Sequence, residues 1–215
     1  MWVYEKRLQF PVNITKPNAK AATFICSQLG GPDGELNAAI RYLSQRYTMP
    51  WPELQALLTD IATEELGHVE MISAILYQLT RGLSKEEVKA SGFDTYFVDH
   101  TFGIYPQAAS GMPFTSEGMQ STGDPIADLV EDMAAEQKAR VTYDNILALV
   151  DDEEIKAPIR FLREREIVHF QRFAEALEIV KSKLNKDNYY YCNPELNCDL
   201  PREESLLDYS SSIQL

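Results

Sequence analysis

Apolar residues recur along this chain at alternating three- and four-residue steps, the signature of helices that turn one face to a core. The longest run, from about Pro52 to Leu79, carries Leu58, Ile61, Glu65, His68, Ile72, Ile75 and Leu79 on one seam. Another, from about Asp152 to Leu184, carries Ile155, Ile159, Leu162, Glu166, His169, Phe173, Ala176 and Val180. Between them, Ile126, Leu129, Met133, Glu136, Tyr143 and Leu147 share a seam that starts near Asp124–Pro125 and ends at Val150. A shorter helix is predicted from Pro32, a residue suited to a first helical position, to about Tyr47. It places Glu35 and Tyr42 seven residues apart on one face. Four helices and no convincing strand make the fold class all-α.

The remaining stretches punctuate these helices. Residues 1–17 read as an extended arm, because Pro11 and Pro17 block a continuous helix. Asn18 to Leu29 suits a short helix ended by Gly30–Gly31. Residues 84–123 are rich in Gly, Pro, Ser and Thr, with aromatics at Phe93, Tyr96, Phe97, Phe102 and Tyr105 but no periodicity. They are expected to form a long loop packed over the bundle or against another subunit, since so long a connector is uncommon without a function. A helical domain over 1–185 is followed by a polar, acidic, tyrosine-rich tail over 186–215. No internal repeat of short period is evident.

Charge narrows the partners. A formal net charge of −13 argues against nucleic acid, whose binding needs clustered Lys and Arg, and repels anionic membranes. No run approaches the roughly eighteen apolar residues that a spanning helix needs. The start "MWVYEKRLQF" lacks the basic then apolar pattern of a secretory signal. Cys26, Cys192 and Cys198 are odd in number and badly spaced for a disulfide framework, which predicts an intracellular, reducing origin.

The seams also raise a chemical question. "TEELGHVEM" puts Glu65 and His68 where leucines would pack better, and Glu166 and His169 repeat the substitution on the last helix. Glu35 and Glu136 add a carboxylate from each of the other two helices. Burying unpaired carboxylates costs on the order of several kcal/mol each, and Lys and Arg are scarce on these seams. Metal ions supply the compensating charge. One Glu from each of two helices plus E-x-x-H from each of two others is the di-metal pattern of ferritin-like four-helix bundles. Carboxylate and imidazole donors without thiolate suit iron or manganese.

These segments carry a resemblance. "LGGPDGELNAAIRYLSQ", "TEELGHVEMIS", "AAEQKAR" and "FLREREIVHFQRF", in this order and spacing, resemble the manganese catalases, in particular the short spore-coat branch known as the CotJC type. The match runs over roughly residues 1 to 185. It implies a dimanganese centre in which Glu35, Glu65 and His68 bind one ion, Glu136 and His169 the other, and Glu65 bridges. It implies that Glu166, which the seam pattern alone makes a ligand, instead carries protons beside the metals, and that Tyr42 hydrogen-bonds near the cluster. Some members have an arginine immediately before the third-helix glutamate, helping to guard the substrate's approach; Ala135 stands there. Larger members carry a C-terminal extension that wraps neighbouring subunits into a hexamer; the short stretch that follows the fourth helix here is not expected to build that hexamer.

The implied activity is disproportionation of hydrogen peroxide by a homo-oligomeric enzyme, made in the mother-cell cytoplasm and laid down with other spore-coat proteins. Two other functions share these residues. One is a di-iron oxidase or rubrerythrin-like peroxidase, although Cys192 and Cys198 lack paired C-x-x-C spacing. The other is a structural coat protein with a vestigial metal site, whose Tyr189, Tyr190, Tyr191 and tail cysteines suit cross-linking.

Overall fold

The computed structural model describes residues 3–5 and 7–184; the tail tyrosines and cysteines singled out above lie outside them. Among the described residues the chain is helical, with α1 (Ala19–Ile25), α2 (Ser27–Gly30), α3 (Glu35–Gln45), α4 (Pro52–Thr80), α5 (Lys85–Ser91), α6 (Asp94–His100), α7 (Pro125–Leu149) and α8 (Glu153–Lys183). Two helical hairpins, α3 with α4 and α7 with α8, form the ferritin-like four-helix bundle, and α4 packs on α8 between them. Start signals account for the boundaries. Pro52 and Pro125 occupy first-turn positions, and the Asp124 and Asp152 side chains accept hydrogen bonds from the first free N–H groups of α7 and α8.

The predicted seams of α4 and α8 are inner faces. On α7, Leu129, Glu136 and Tyr143 are buried, while Ile126, Met133 and Leu147 are half-buried and Asp132, Ala139 and Ile146 are buried instead. The apolar residues form two cores, one at each end of the bundle. Ile72, Ile75 and Leu79 of α4 meet Ile155, Ile159 and Leu162 of α8 in one of them. Leu54, Leu58 and Ile61 meet Phe173, Ala176 and Val180 in the other. The polar seam residues fall between them, so the bundle has a charged waist closed at both ends by apolar side chains.

Two expectations need correcting. The first bundle helix starts at Glu35 rather than Pro32, because Gly34 keeps an extended backbone at its N-cap. Glu35 thereby becomes the first helical residue, where the exposed N–H groups of the helix start favour a carboxylate. The connector from 84 to 123 is long but not structureless. Ser84 and Glu87 form a reciprocal capping box that starts α5, α6 follows, and a 3₁₀ turn spans Ser116–Met119.

Both ends of the chain's irregular parts are strapped to the bundle. The Gln78 side chain accepts from Ile14 N at 2.6 Å and donates to Val12 O at 2.8 Å, holding the N-terminal arm along α4. The crossover lies over α2, where Ser27 Oγ accepts from Ala109 N at 2.7 Å. It comes so close that a Cβ on Gly30 would sit 2.2 Å from the Pro106 carbonyl carbon. No helix among the described residues is long and apolar enough to cross a membrane.

That approach is backbone against backbone and cannot be relieved by a side-chain rotation. Gly30→Ala is therefore expected to lift the 101–114 segment and destabilise the fold by about 1–3 kcal/mol, the usual cost of overpacking. A urea denaturation midpoint equal to that of the parent would contradict this packing.

Candidate metal centre

Six buried side chains meet in the waist. Glu35 from α3, Glu65 and His68 from α4, Glu136 from α7, and Glu166 and His169 from α8 are each at most 2% exposed. Their donor atoms form two overlapping groups, Glu35, Glu65, His68 and Glu166 in one and Glu65, Glu136, Glu166 and His169 in the other, with all atoms of a group within 4.8 Å of one another. Glu65 belongs to both and divides its oxygens between them: Oε2 lies 2.7 Å from His68 Nδ1, and Oε1 lies 2.6 Å from His169 Nδ1. Glu35 Oε2 stands 3.5 Å from His68 Nδ1, and Glu136 Oε2 stands 3.6 Å from His169 Nδ1. All the bundle seams predicted to carry chemistry converge here.

A pseudo-twofold relation organises the cluster. Glu35, Tyr42, Glu65 and His68 recur 101 positions later as Glu136, Tyr143, Glu166 and His169. The tyrosines cross over: Tyr42 O–H donates to Glu136, and Tyr143 O–H donates to Glu35. Each hairpin thus holds the carboxylate of the other, occupying Oε1 and leaving Oε2 to face a histidine. Tyr143 entered the sequence reading only as a core seam residue. The repeated seven-residue Glu–Tyr spacing was the signal for its role, visible only once the long-period repeat is recognised.

Other residues missed by the sequence reading surround these. Glu64 lies behind both histidines and is held by Arg165, whose Nε donates to Oε1 at 2.6 Å. One helical turn outward from Tyr42 and Glu136, buried Gln45 donates to Asp132 Oδ1 at 2.9 Å, and fully buried Arg41 donates to Gly118 O. Both contacts are braces: one ties α3 to α7, the other ties it to the 3₁₀ turn.

The cluster is short of positive charge. Burial, followed by the charge of Glu65, pushes the Glu35 carboxyl up to about 8. Burial, then Glu35, Glu136 and Glu65, holds Glu166 well above the ordinary carboxylate range. Burial works against protonation of His68 and His169, but Glu65 and Glu64, joined by Glu35 at His68 and Glu136 at His169, together override it and raise both well above the usual imidazole value. For Glu65 burial opposes ionisation, and the two histidines reverse that and lower it. The shifts of Glu35, Glu166 and both histidines all favour protons where cationic charge is missing. Glu65 Oε1, Glu136 Oε2, Glu166 Oε1, His68 Nε2 and both nitrogens of His169 make no contact with hydrogen-bond geometry, close as some of them stand, although buried polar atoms are normally satisfied. Hard oxygen and imidazole donors, buried and unsatisfied in two overlapping groups, fit a pair of divalent first-row metal ions.

A narrow cavity of about 10 Å³ adjoins the cluster, with Glu35, Glu136 and Glu166 at its inner end and Ala38, Ala135 and Ala139 in its wall. Ala135 leaves room there that a long side chain would fill.

Comparison with known proteins places this arrangement. The sequence profile of the manganese containing catalases matches residues 1–188. The chain belongs to the manganese catalase family. It is 48% identical over 190 residues to the protein CotJC of Bacillus subtilis strain 168, covering 88% of this chain and all of that one. A probable manganese catalase of Clostridium acetobutylicum is 36% identical, over 87% of this chain and 84% of its own. The crystal structure of KatB, a manganese catalase from Anabaena, superposes with a TM-score of 0.80 at 31% identity, covering 90% of this chain and 87% of that one.

The crossed tyrosines lead to a test. Groups that orient metal ligands are typically worth 10–100-fold in metal affinity. Tyr143→Phe and Tyr42→Phe are each expected to weaken divalent-metal binding at one donor group by about that factor, and the double variant at both. Two unchanged binding steps in chelator competition with the double variant would show that the tyrosines do not orient the carboxylates.

Proposed function

We propose that this protein binds two manganese ions in the waist and disproportionates hydrogen peroxide to water and dioxygen. The observation that carries the reading is the division of Glu65 between two donor groups, one oxygen beside each histidine, inside a family of manganese-containing catalases. Glu35, Glu65 and His68 would hold one ion, and Glu136 and His169 the other, with Glu65 bridging. When bound, the pair supplies Lewis acidity and a store of two electrons shared between successive peroxides.

The protein's own groups then have defined work. One peroxide gives up two electrons and two protons to become dioxygen; the next takes them up and becomes two waters. Protons must therefore wait in the site between the two halves. Glu166 suits that task, because its carboxyl lines the inner end of the cavity and Oε1 is buried without a partner. It takes a proton from peroxide at Oε1 and returns it to the departing oxygen as general base and then acid. The apolar cores on both sides exclude bulk water, and a small alanine-walled cavity leads to the carboxylates. Tyr42 and Tyr143 keep Glu136 and Glu35 in place as charge shifts.

Glu166 is also near enough to both donor groups to serve as a ligand, and substitution separates the roles. Glu65→Ala is expected to lose manganese. Glu166→Gln should keep its manganese while turnover falls about 10²–10⁴-fold, the usual contribution of a general acid–base group. Loss of manganese from Glu166→Gln would make it a ligand, and undiminished turnover would remove the proton role.

The similarity to CotJC over the whole of that protein supports a place in the spore coat. The family match ends at residue 188, which supports reading the acidic tail as separate from the catalytic domain. Deletion of residues 189–215 is expected to leave metal content and turnover intact while incorporation into the coat falls; equal incorporation of the truncated protein would deny the tail an anchoring role. A homo-oligomer is supported by Val98, Phe102, Ile104, Tyr105 and Met112, which leave apolar surface exposed on the crossover. Light scattering should give a mass above 24.4 kDa.

A further inference from the structure

The two histidines present the same nitrogen to the cluster. Both Nδ1 atoms face Glu65, at 2.7 Å and 2.6 Å. Their rings lie nearly parallel, with centroids 5.6 Å apart at 23°, so their Nε2 atoms emerge side by side on the opposite edge. Glu64 stands there. Its Oε2 is 3.2 Å from His169 Nε2 and its Oε1 is 3.7 Å from His68 Nε2. In the metal-free structure neither contact has hydrogen-bond geometry, and among the described residues neither Nε2 has any other hydrogen-bond partner. Glu64 makes its closest approach to each ring at Nε2, whereas Glu35, Glu65 and Glu136 make theirs at Nδ1.

An imidazole can turn a lone pair toward a cation from Nδ1 only if its proton sits on Nε2, and a carboxylate accepting that proton fixes both tautomer and ring orientation. Metal histidines ordinarily have such a partner each. In this chain one carboxylate is placed to serve both. We propose that Glu64 is the common positioning carboxylate for His68 and His169, and that Arg165 is its anchor. The inference rests on the two-ion reading of the waist.

The pseudo-twofold relation explains why one carboxylate is enough. Position 64 corresponds to position 165 by the same offset of 101 that relates the ligands: E-E-x-x-H on α4 becomes R-E-x-x-H on α8. Both positions look onto the same edge of the paired rings. Two glutamates there would repel one another in a partly buried place. An arginine at one of them instead grips the other in a fork, Nε to Oε1 at 2.6 Å and Nη2 to Oε2 at 3.2 Å. Both side chains are largely enclosed, 19% exposed for Glu64 and 28% for Arg165, so the fork is shielded from competing water. Glu64 is thereby held with one oxygen toward each imidazole.

The same relation supplies the test. In the exchange Glu64→Arg with Arg165→Glu, the carboxylate hangs from α8 and the guanidinium from α4, and the clamp re-forms in its pseudo-symmetric image. Manganese affinity is measured by chelator competition for the parent, Glu64→Gln, Glu64→Arg, Arg165→Glu and the exchanged pair. Urea midpoints of the metal-free proteins are measured in parallel. The single variants are expected to bind manganese about 10–100-fold more weakly, and the exchanged pair to recover to within a few-fold of the parent. The metal-free midpoint of Glu64→Gln should fall far less than its affinity. Parent-like affinity in Glu64→Gln overturns the proposal, as does a loss matched by the metal-free midpoint, which would make the pair a structural brace. So does a loss that the folded exchanged pair fails to recover. A parent that binds no manganese defeats the two-ion reading instead.

Discussion

Four glutamates and two histidines share a space from which water is largely excluded, and their mutual repulsion is the constraint to which the surrounding structure answers. Charges buried this way are tolerated only when paired or bound to cations. Burial and mutual repulsion push Glu35 up to about 8 and hold Glu166 well above the ordinary carboxylate range, which favours protons on the site when no cation is bound. Protons and metal ions then compete for the same atoms, so metal uptake must release protons. The two apolar cores contribute more than stability: by flanking the cluster they lower the local dielectric and make the cationic charge indispensable.

Holding such a cluster in shape requires restraint from outside it. The crossed tyrosines tie each hairpin's terminal carboxylate to the opposite hairpin, so the relative position of α3 and α7 and the aim of Glu35 and Glu136 are set together. Gln45 with Asp132 and Arg41 with Gly118 repeat the bracing one turn further out. A carboxylate pinned through one oxygen presents the other in a defined direction, which is what a metal pair with fixed separation needs.

Much of this was legible in the sequence, and the reasons are physical. Helices leave a strong periodic trace when one face is buried, and a Glu or His in the middle of that trace is costly enough to demand a reason. The four bundle helices and the six convergent side chains were visible on that ground. Short elements left weaker traces: α5 and α6 are seven residues each, too brief for periodicity, although Ser84 and Glu87 spelled a helix start. Tyr143 was hidden because a tyrosine on a core seam reads as packing. Glu64 was hidden because its neighbour Glu65 occupies the seam, and only the fold shows that the adjacent position reaches behind the rings. Whether Glu166 binds metal or carries protons is not a matter of spacing, since its position suits both.

Metal content and oxygen release measured on one natively purified sample bear most directly on the central claim. Two manganese ions per chain are expected, with dioxygen evolved from hydrogen peroxide at half the rate of peroxide loss. Removal of the metal should abolish evolution, and manganese rather than iron should restore it. A natively purified protein that carries iron and oxidises ferrous ion, or one that holds manganese yet leaves peroxide untouched, would contradict the account.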